Sequence, residues 1–397
     1  MARCDRDIRS MLAGLALCLA VTGLTGHREA RAAGGAYTLQ LLHFSDVDGE
    51  PGVAIDNVER FSALVSAFRT NAVPTLLLSS GDNVKPGPLY DAGASPDLAN
   101  TLGVPAKGRA GIALMNALGV DASVIGNHDL DGGPAEFAAL LMPETGAQGT
   151  YPGARFPYVS ANLDFSAEPA LSDLAAVGGQ AGDRVAGRIA PSVVMTVGGE
   201  RIGIVGGTTP DLPEITRTGG IRLAAGLTTD TVARYPALAS SIQTAVDVLV
   251  QHGINKIILL AHMQQLDIEQ ALAQRLSGVD VIVAGGSSAL LADANDTLRE
   301  GHEAAGDYPL VFESPQGEPV LVVNVDGDYE YLGRLVMTFD QEGVIQTGAL
   351  DPQKNGAWAT TEAVVDRLGA QPDPDIEALV SRIRDVLNAN SPASSSN

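Results

Sequence analysis

The chain has 397 residues, of which 45% are hydrophobic, and a net charge of −22 at pH 7. That length and apolar content are enough for a large buried core, in one big α/β domain or two ordinary ones, so the chain is globular. So acidic a surface repels nucleic acid and phosphate at long range, which argues against nucleic-acid binding and means that an anionic ligand needs a local cationic centre. With few Lys or Arg near the motifs below, metal ions are the obvious supply; the bland alternative is that the charge serves only solubility in salt.

The first 32 residues read as a secretory leader: "MARCDRDIR" carries arginines, "SMLAGLALCLAVTGLTG" is an apolar stretch of signal-peptide length, and "EARAA" offers an Ala-x-Ala cut after Ala32. A membrane anchor is disfavoured, because Gly14, Gly23 and Gly26 interrupt a run shorter than the ~20 residues that span a bilayer. A lipoprotein cut at Cys18 is disfavoured too, since Leu17 sits where a small residue is expected. A periplasmic or extracellular location without a stable membrane anchor follows. Both cysteines, Cys4 and Cys18, fall in that leader, so the exported chain holds no disulfide and depends on its core.

From Tyr37 onward, short Val-, Ile- and Leu-rich runs alternate with helical patterns. The strand candidates are "YTLQLLHFSD", "VPTLLLSSGD", "ASVIGNHD", "PYVSANLD", "RIGIVGGTTP", "NKIILLAHM" and "VDVIVAGG", each ending in a polar or glycine-rich turn. Between them, "NVERFSALVSAFR", "AGIALMNALG", "PAEFAALLM" and "ALASSIQTAVDVLVQHG" are amphipathic, the last stopped by Gly253 in the manner of a C-cap. "VVMTVGGERIGIV" reads as a hairpin turned at Gly198-Gly199. From Tyr308, "YPLVFES", "EPVLVVNVDGDYEYLGRLVMTFD" and "GVIQTGAL" read as antiparallel strands, and "DPDIEALVSRIRDVLNAN" as a helix before a tail, "SPASSSN", expected to be disordered. Continuous apolar strands alternating with helices predict an α/β fold in which helices cover the faces of sheets.

In open α/β folds, ligands gather at the carboxyl ends of strands. Those ends carry Asp46 and Asp48, then Asp82 and Asn83, then Asn127, His128, Asp129 and Asp131, and later His262. One Asp after a strand is ordinary turn chemistry, an Asx-turn or a helix cap. Four such ends in succession supply carboxylates, an amide oxygen and imidazole, a ligand set for two adjacent divalent cations that clamp a phosphate.

Over about Tyr37 to Asp351 the sequence resembles the calcineurin-like metallophosphoesterases, in particular their secreted 5'-nucleotidase branch. The motifs that carry the resemblance are "LLHFSDVDGE", "LLLSSGDNVKPGPLY", "MNALGVDASVIGNHDLDGG", "IAPSVVMTVGGERIGIVGGTTP", "IILLAHMQQ" and "GVDVIVAGG". A closer likeness is to the atypical alkaline phosphatases of that branch. The resemblance implies a four-layer α/β/β/α sandwich of two mixed sheets, with a catalytic domain over 37–351 followed by a C-terminal helix and tail over 352–397. It also implies a secreted, metal-dependent hydrolase of small-molecule phosphate esters, nucleotides among them, that uses a metal-activated hydroxide and two divalent ions (Mn, Mg, Ca or Zn). Carried over residue by residue, it makes Asp46 a ligand of the first metal, Asp82 the bridging carboxylate, and Asn127 and His262 ligands of the second. His128 stabilises the transferring phosphoryl or protonates the leaving oxygen, and Asp131 orients its imidazole. Asp129 stands where the family usually has Glu, while His43, His252 and His302 match no ligand position.

The sequence departs from that family in three places. The first motif reads Asp46-Val47-Asp48 rather than Asp-x-His, and a carboxylate at 48 favours harder ions than Zn. The last motif, normally Gly-His-x-His or Gly-His-x-Gln, reads Gly285-Gly286-Ser287-Ser288; the second metal loses an imidazole and the first keeps only the Ser288 hydroxyl. Asp293, Asn295 and Asp296 follow with suitable oxygens that nothing in the sequence places at the metals. The branch's C-terminal base-binding domain is absent, which favours a general phosphomonoesterase or phosphodiesterase over a strict nucleotidase. The alternatives are a metal- or phosphate-binding homologue without turnover, and a truncated piece of a two-domain 5'-nucleotidase.

Overall fold

The computed structural model describes residues 36–47, 52–70, 72–224 and 234–390. The expected leader, Asp48 and the terminal "SPASSSN" lie outside the described residues. Fourteen strands build two sheets: β1 (Tyr37–Phe44), β2 (Thr75–Ser79), β3 (Ala122–Val124), β4 (Tyr158–Val159), β5 (Gln180–Ala181), β6 (Ile189–Ala190), β7 (Ser192–Val197), β8 (Glu200–Thr208), β9 (Ile257–His262), β10 (Val281–Val283), β11 (Leu310–Glu313), β12 (Pro319–Val323), β13 (Tyr331–Phe339) and β14 (Gly356–Ala359). The first sheet runs β14-β13-β1-β2-β3-β4-β6 and the second β11-β12-β10-β9-β8-β7-β5. Both are mixed. In the first, β1, β2, β3, β4 and β6 are parallel while β13 runs antiparallel to β1 and β14 to β13. In the second, β8, β9, β10 and β12 are parallel, β7 is antiparallel to β8 but parallel to β5, and β11 is antiparallel to β12.

Side-chain alternation along the strands sorts the layers. On β9, Ile258 and Leu260 join the cluster shared with the first sheet. Ile257 and Leu259 instead join a separate cluster with Leu238, Ile242 and Val246 of helix α1 (Arg234–Gln251) and with Ile268 and Leu272 of helix α2 (Leu266–Ala273). The outer face of the first sheet is covered by Val53–Arg69, Arg109–Leu118 and Pro374–Asn390, which bury Val58 and Phe61, Leu114, and Ile376, Val380 and Ile383. This is the four-layer α/β/β/α sandwich that the resemblance implies.

The hairpin is present: β7 pairs antiparallel with β8 in register Val197↔Glu200, and Gly198 and Gly199 take φ of 59° and 89°, the two positive angles that a two-residue turn of this hand needs. The region after Tyr308 differs from expectation. β12 lies parallel to β10 in the second sheet, and the chain then crosses to β13 in the first, so the two apolar runs of "EPVLVVNVDGDYEYLGRLVMTFD" belong to different sheets. "GVIQTGAL" supplies a short 3-10 turn, Thr347–Ala349, and the edge strand is instead the less apolar "GAWA", β14. The division expected after Asp351 therefore falls inside the first sheet. The last helix is tied to the helix Val53–Arg69 that covers that sheet, through Arg384 on both Glu59 oxygens at 3.0 Å and on the Ile55 carbonyl at 3.0 Å. Among the described residues, no helix is long and apolar enough to cross a membrane.

The two sheets approach closely beside the carboxyl ends of β3 and β4. Ala161 N–H donates to the Gly206 carbonyl at 2.8 Å, and the Thr208 hydroxyl donates to the Ile125 carbonyl at 2.9 Å. A Cβ on Gly206 would collide with the backbone of Val159 and Ser160. Gly206→Ala should therefore destabilise the chain by about 1–3 kcal/mol, the usual cost of overpacking. Urea unfolding checks this, and an unchanged midpoint would mean that the sheets separate without cost.

Candidate metal centre

The loops that leave β1, β2 and β3 meet the end of β9 from the opposite sheet. Asp46 and Asp82 stand two and three residues past their strands, both in the left-handed region at φ 54°, which non-glycine residues rarely occupy. Backbone hydrogen bonds hold them there. Asp46 N–H donates to the Gly81 carbonyl at 3.0 Å and Val47 N–H to the Asp82 carbonyl at 2.8 Å, so the two loops brace each other. The Asp129 carboxylate accepts from the N–H groups of Gly126, Asn83 and Asp82 at 2.9, 3.0 and 3.2 Å, clamping the third loop to the second.

Asp46, Asp82 and His262 each bring one ligand atom within 4.8 Å of the others, and all three are buried. His262 Nε2 lies 3.0 Å from Asp82 Oδ2 and 3.2 Å from Asn127 Oδ1. Its Nδ1 donates to the Ser80 carbonyl at 2.7 Å, which turns Nε2 toward the cluster. The second Asp82 oxygen accepts the His128 N–H at 2.7 Å. His128 Nδ1 pairs with Asp131 Oδ2 at 2.7 Å, and Thr216 donates to the other Asp131 oxygen at 2.9 Å.

The electrostatics are those of a site built around positive charge. Burial pushes Asp46 up to about 6, with the Asp82 charge adding to it and His262 working against it. Asp82 is buried as well, but the pull of His262 and the hydrogen bonds it accepts outweigh desolvation and hold it below the ordinary carboxylate value. Burial alone would lower His262; Asp82 and Asp46 reverse that and raise it to about 10. Burial and the Asp82 charge push Asp129 up to about 7 against its three backbone donors.

Other sequence candidates stand apart from this cluster. Ser288 is exposed at φ 48°, and its loop reaches the carboxylates through the Gly286 N–H, which donates to Asp46 Oδ2 at 3.0 Å. Asp293 and Asp296 accept backbone hydrogen bonds in their own turn, from Asn295 N–H to Asp293 Oδ1 at 2.6 Å and from Asp293 N–H to Asp296 Oδ2 at 2.9 Å, and Asp296 also accepts from the Ala357 backbone. His43 is buried against the Tyr308 hydroxyl at 2.8 Å, and burial lowers it to about 3, a structural role. His302 forms a second grouping with Asp326 and Glu330, at 3.5 and 3.9 Å. Sequence reasoning missed Thr216, the clamping role of Asp129, and Gln264, whose Nε2 lies 2.5 Å from Asn127 Oδ1 and 3.0 Å from His262 Nε2. Only the last had a signal, its place two residues past His262.

The donor set fits divalent cations. Two buried carboxylates, an imidazole Nε2 and an amide oxygen converge, and the imidazole is paired with one of the carboxylates.

This fold, with its strand-end carboxylates and imidazole, is that of the calcineurin-like metallophosphoesterases, and the curated relatives of the chain are 5'-nucleotidases. No family model matches the chain. The bovine 5'-nucleotidase is 28% identical over 298 residues, 75% of this chain and 44% of the relative. The probable 5'-nucleotidase of Treponema pallidum is 28% identical over 352 residues, 85% of this chain and 51% of the relative. Among solved structures, a 5'-nucleotidase precursor from Thermus thermophilus superposes with a TM-score of 0.65 at 30% identity, covering 89% of this chain and 59% of that one. The calcineurin-like phosphoesterase YfkN from Bacillus subtilis shares the fold, with a TM-score of 0.55 at 17% identity, covering 89% of this chain and 99% of that one. The chain spans about half the length of the curated relatives it matches.

A cation ligand must be a neutral imidazole or an ionised carboxylate, so binding has to expel protons. With its pKa raised to about 10, His262 carries a proton at pH 8 in the metal-free chain, whereas Asp46, at about 6, adds a further fraction only as the pH falls toward 6. Calorimetric titration with Mn2+ in two buffers of different ionisation enthalpy should show about one proton released at pH 8 and more at pH 6. His262→Gln should abolish the release at pH 8. Binding at pH 8 without proton release would mean that the cation does not displace the Asp82–His262 pair.

Proposed function

We propose that this chain is a metal-dependent phosphoesterase, exported to the periplasm or beyond the cell, that hydrolyses small-molecule phosphate esters, nucleotides among them. The observation that carries this reading is the convergence of Asp46, Asp82 and His262 within 4.8 Å, beside the His128–Asp131 couple. Its kinship with 5'-nucleotidases supports the same class of reaction.

Two divalent ions bound there would neutralise phosphate charge and make water nucleophilic near neutral pH. The chain's own residues do the rest. Asp82, with one oxygen on His262 and the other on the His128 N–H, bridges the two halves of the site. Asn127 and His262 would hold the second ion, and Asp46, with Asp48 by its place in the sequence, would hold the first. Asp131 fixes His128 by its Nδ1, which directs Nε2 to the developing charge on the phosphoryl group and to the leaving oxygen. Thr216 holds Asp131 in turn. The acidic surface makes this cationic centre the place where an anionic ester is held.

The glycine at 286 and the exposed serine at 288 favour a second reading, a phosphate- or metal-binding homologue without turnover. Hydrolysis of a chromogenic phosphate ester with added Mn, Mg, Ca or Zn separates the two, alongside metal analysis of each variant. Asp82→Asn should lower both metal content and rate. His128→Ala should keep the metals and lose turnover by roughly two to four orders of magnitude. His128→Ala emptying the site while Asp82→Asn left it full would reverse the two roles, and a metal-loaded wild-type chain with no hydrolysis would favour the binding protein.

A further inference from the structure

The donor missing at 286 leaves the second ion, on the phosphoesterase reading, with Asn127, His262 and the shared Asp82. Gly286 has φ of 81°, and a Cβ built there would stand 2.7 Å from Gln264 Nε2 and 2.8 Å from His262 Nε2. The space in front of His262 that a side chain at 286 would enter is therefore already taken, by a residue from the loop of the neighbouring strand. Gln264 is itself in the left-handed region, at φ 68°, where a glutamine is strained and persists only if its surroundings hold it. What holds it is the site: its amide touches Asn127 Oδ1 at 2.5 Å and His262 Nε2 at 3.0 Å.

In that arrangement the amide nitrogen of Gln264 occupies the point on which an amide oxygen and an imidazole nitrogen converge, the position a cation would take. A half-turn of the terminal amide replaces its NH2 by its carbonyl oxygen, a good ligand for hard divalent ions. We infer that Gln264 is the fourth side-chain ligand of the second cation, supplied from the end of β9 in place of one from the end of β10. Without a cation it donates to Asn127 and lies against His262; with one, it turns and coordinates. The resulting donor set holds one imidazole among carboxylate and amide oxygens, which suits Mn2+ or Mg2+ relative to Zn2+.

This inference rests on the phosphoesterase reading, so the test has to tell failure of one from failure of the other. After chelator treatment, Mn2+ binding is measured by calorimetry for the wild-type chain, Asp82→Asn, Gln264→Gly and Gln264→His. Glycine accepts φ 68° without strain, so the metal-free Gln264→Gly variant should be at least as heat-stable as the wild type. Its affinity for Mn2+ should nonetheless fall by at least about tenfold, the lower end of the loss seen when even an outer partner of a metal site is removed. Gln264→His, another residue tolerated in the left-handed region, should gain in Zn2+ affinity relative to Mn2+. A Gln264→Gly chain that binds Mn2+ like the wild type, while Asp82→Asn does not, would overturn this inference and leave the phosphoesterase intact. A wild-type chain with no affinity for Mn2+ would overturn both.

Discussion

The ion pair between Asp82 and His262 joins the two sheets at the edge where the chemistry collects. Asp82 is carried by the loop after β2 in the first sheet, His262 is the last residue of β9 in the second, and the pair is almost wholly withdrawn from water. Isolated buried charges are costly, and removing one partner of a buried pair leaves the other uncompensated. The remaining geometry takes its position from this contact. His128 hangs by its N–H from the free oxygen of Asp82, Asn127 meets His262, and Asp129 fixes the loop that presents Asp82. The close approach of β8 to β4 at Gly206, where no side chain fits, sets the distance across which the pair can form.

That pair is also electrostatically incomplete. Three buried carboxylates, Asp46, Asp82 and Asp129, stand against one imidazole. Asp46 and Asp129 respond by holding protons more tightly than exposed acids do, and His262 by keeping its proton far above the ordinary imidazole range. A divalent cation resolves the imbalance by taking the place of those protons, so the metal-free fold stores a preference for cations in its protonation state. On a chain with net charge −22, a cation there is a local reversal of sign.

Much of this was legible in the residues. Parallel strands announced themselves as short continuous apolar runs, because both of their faces are buried; β1, β2, β8, β9 and β10 all lie in runs chosen on that basis. The order of acidic and amide residues at their ends marked the site before any contact was known. β14 escaped notice because "GAWA" is an edge strand with little apolar periodicity, and the crossing from β12 to β13 was hidden because an antiparallel hairpin and a change of sheet look alike in a string of apolar runs. Gln264 escaped for another reason. A glutamine at a left-handed backbone position carries no pattern, and its importance lies in a neighbour at the end of the adjacent strand, Gly286, whose lack of a side chain gives it room.

The central claim is that the Asp46, Asp82 and His262 donors form a binding site for divalent cations. Anomalous diffraction from crystals soaked in Mn2+ tests it most directly. The account predicts a peak at about 2.0–2.3 Å from both the Asp82 carboxylate and His262 Nε2, the range for oxygen and nitrogen ligands of first-row ions. Binding elsewhere, such as at His302, Asp326 and Glu330, with no peak between Asp82 and His262, would contradict it.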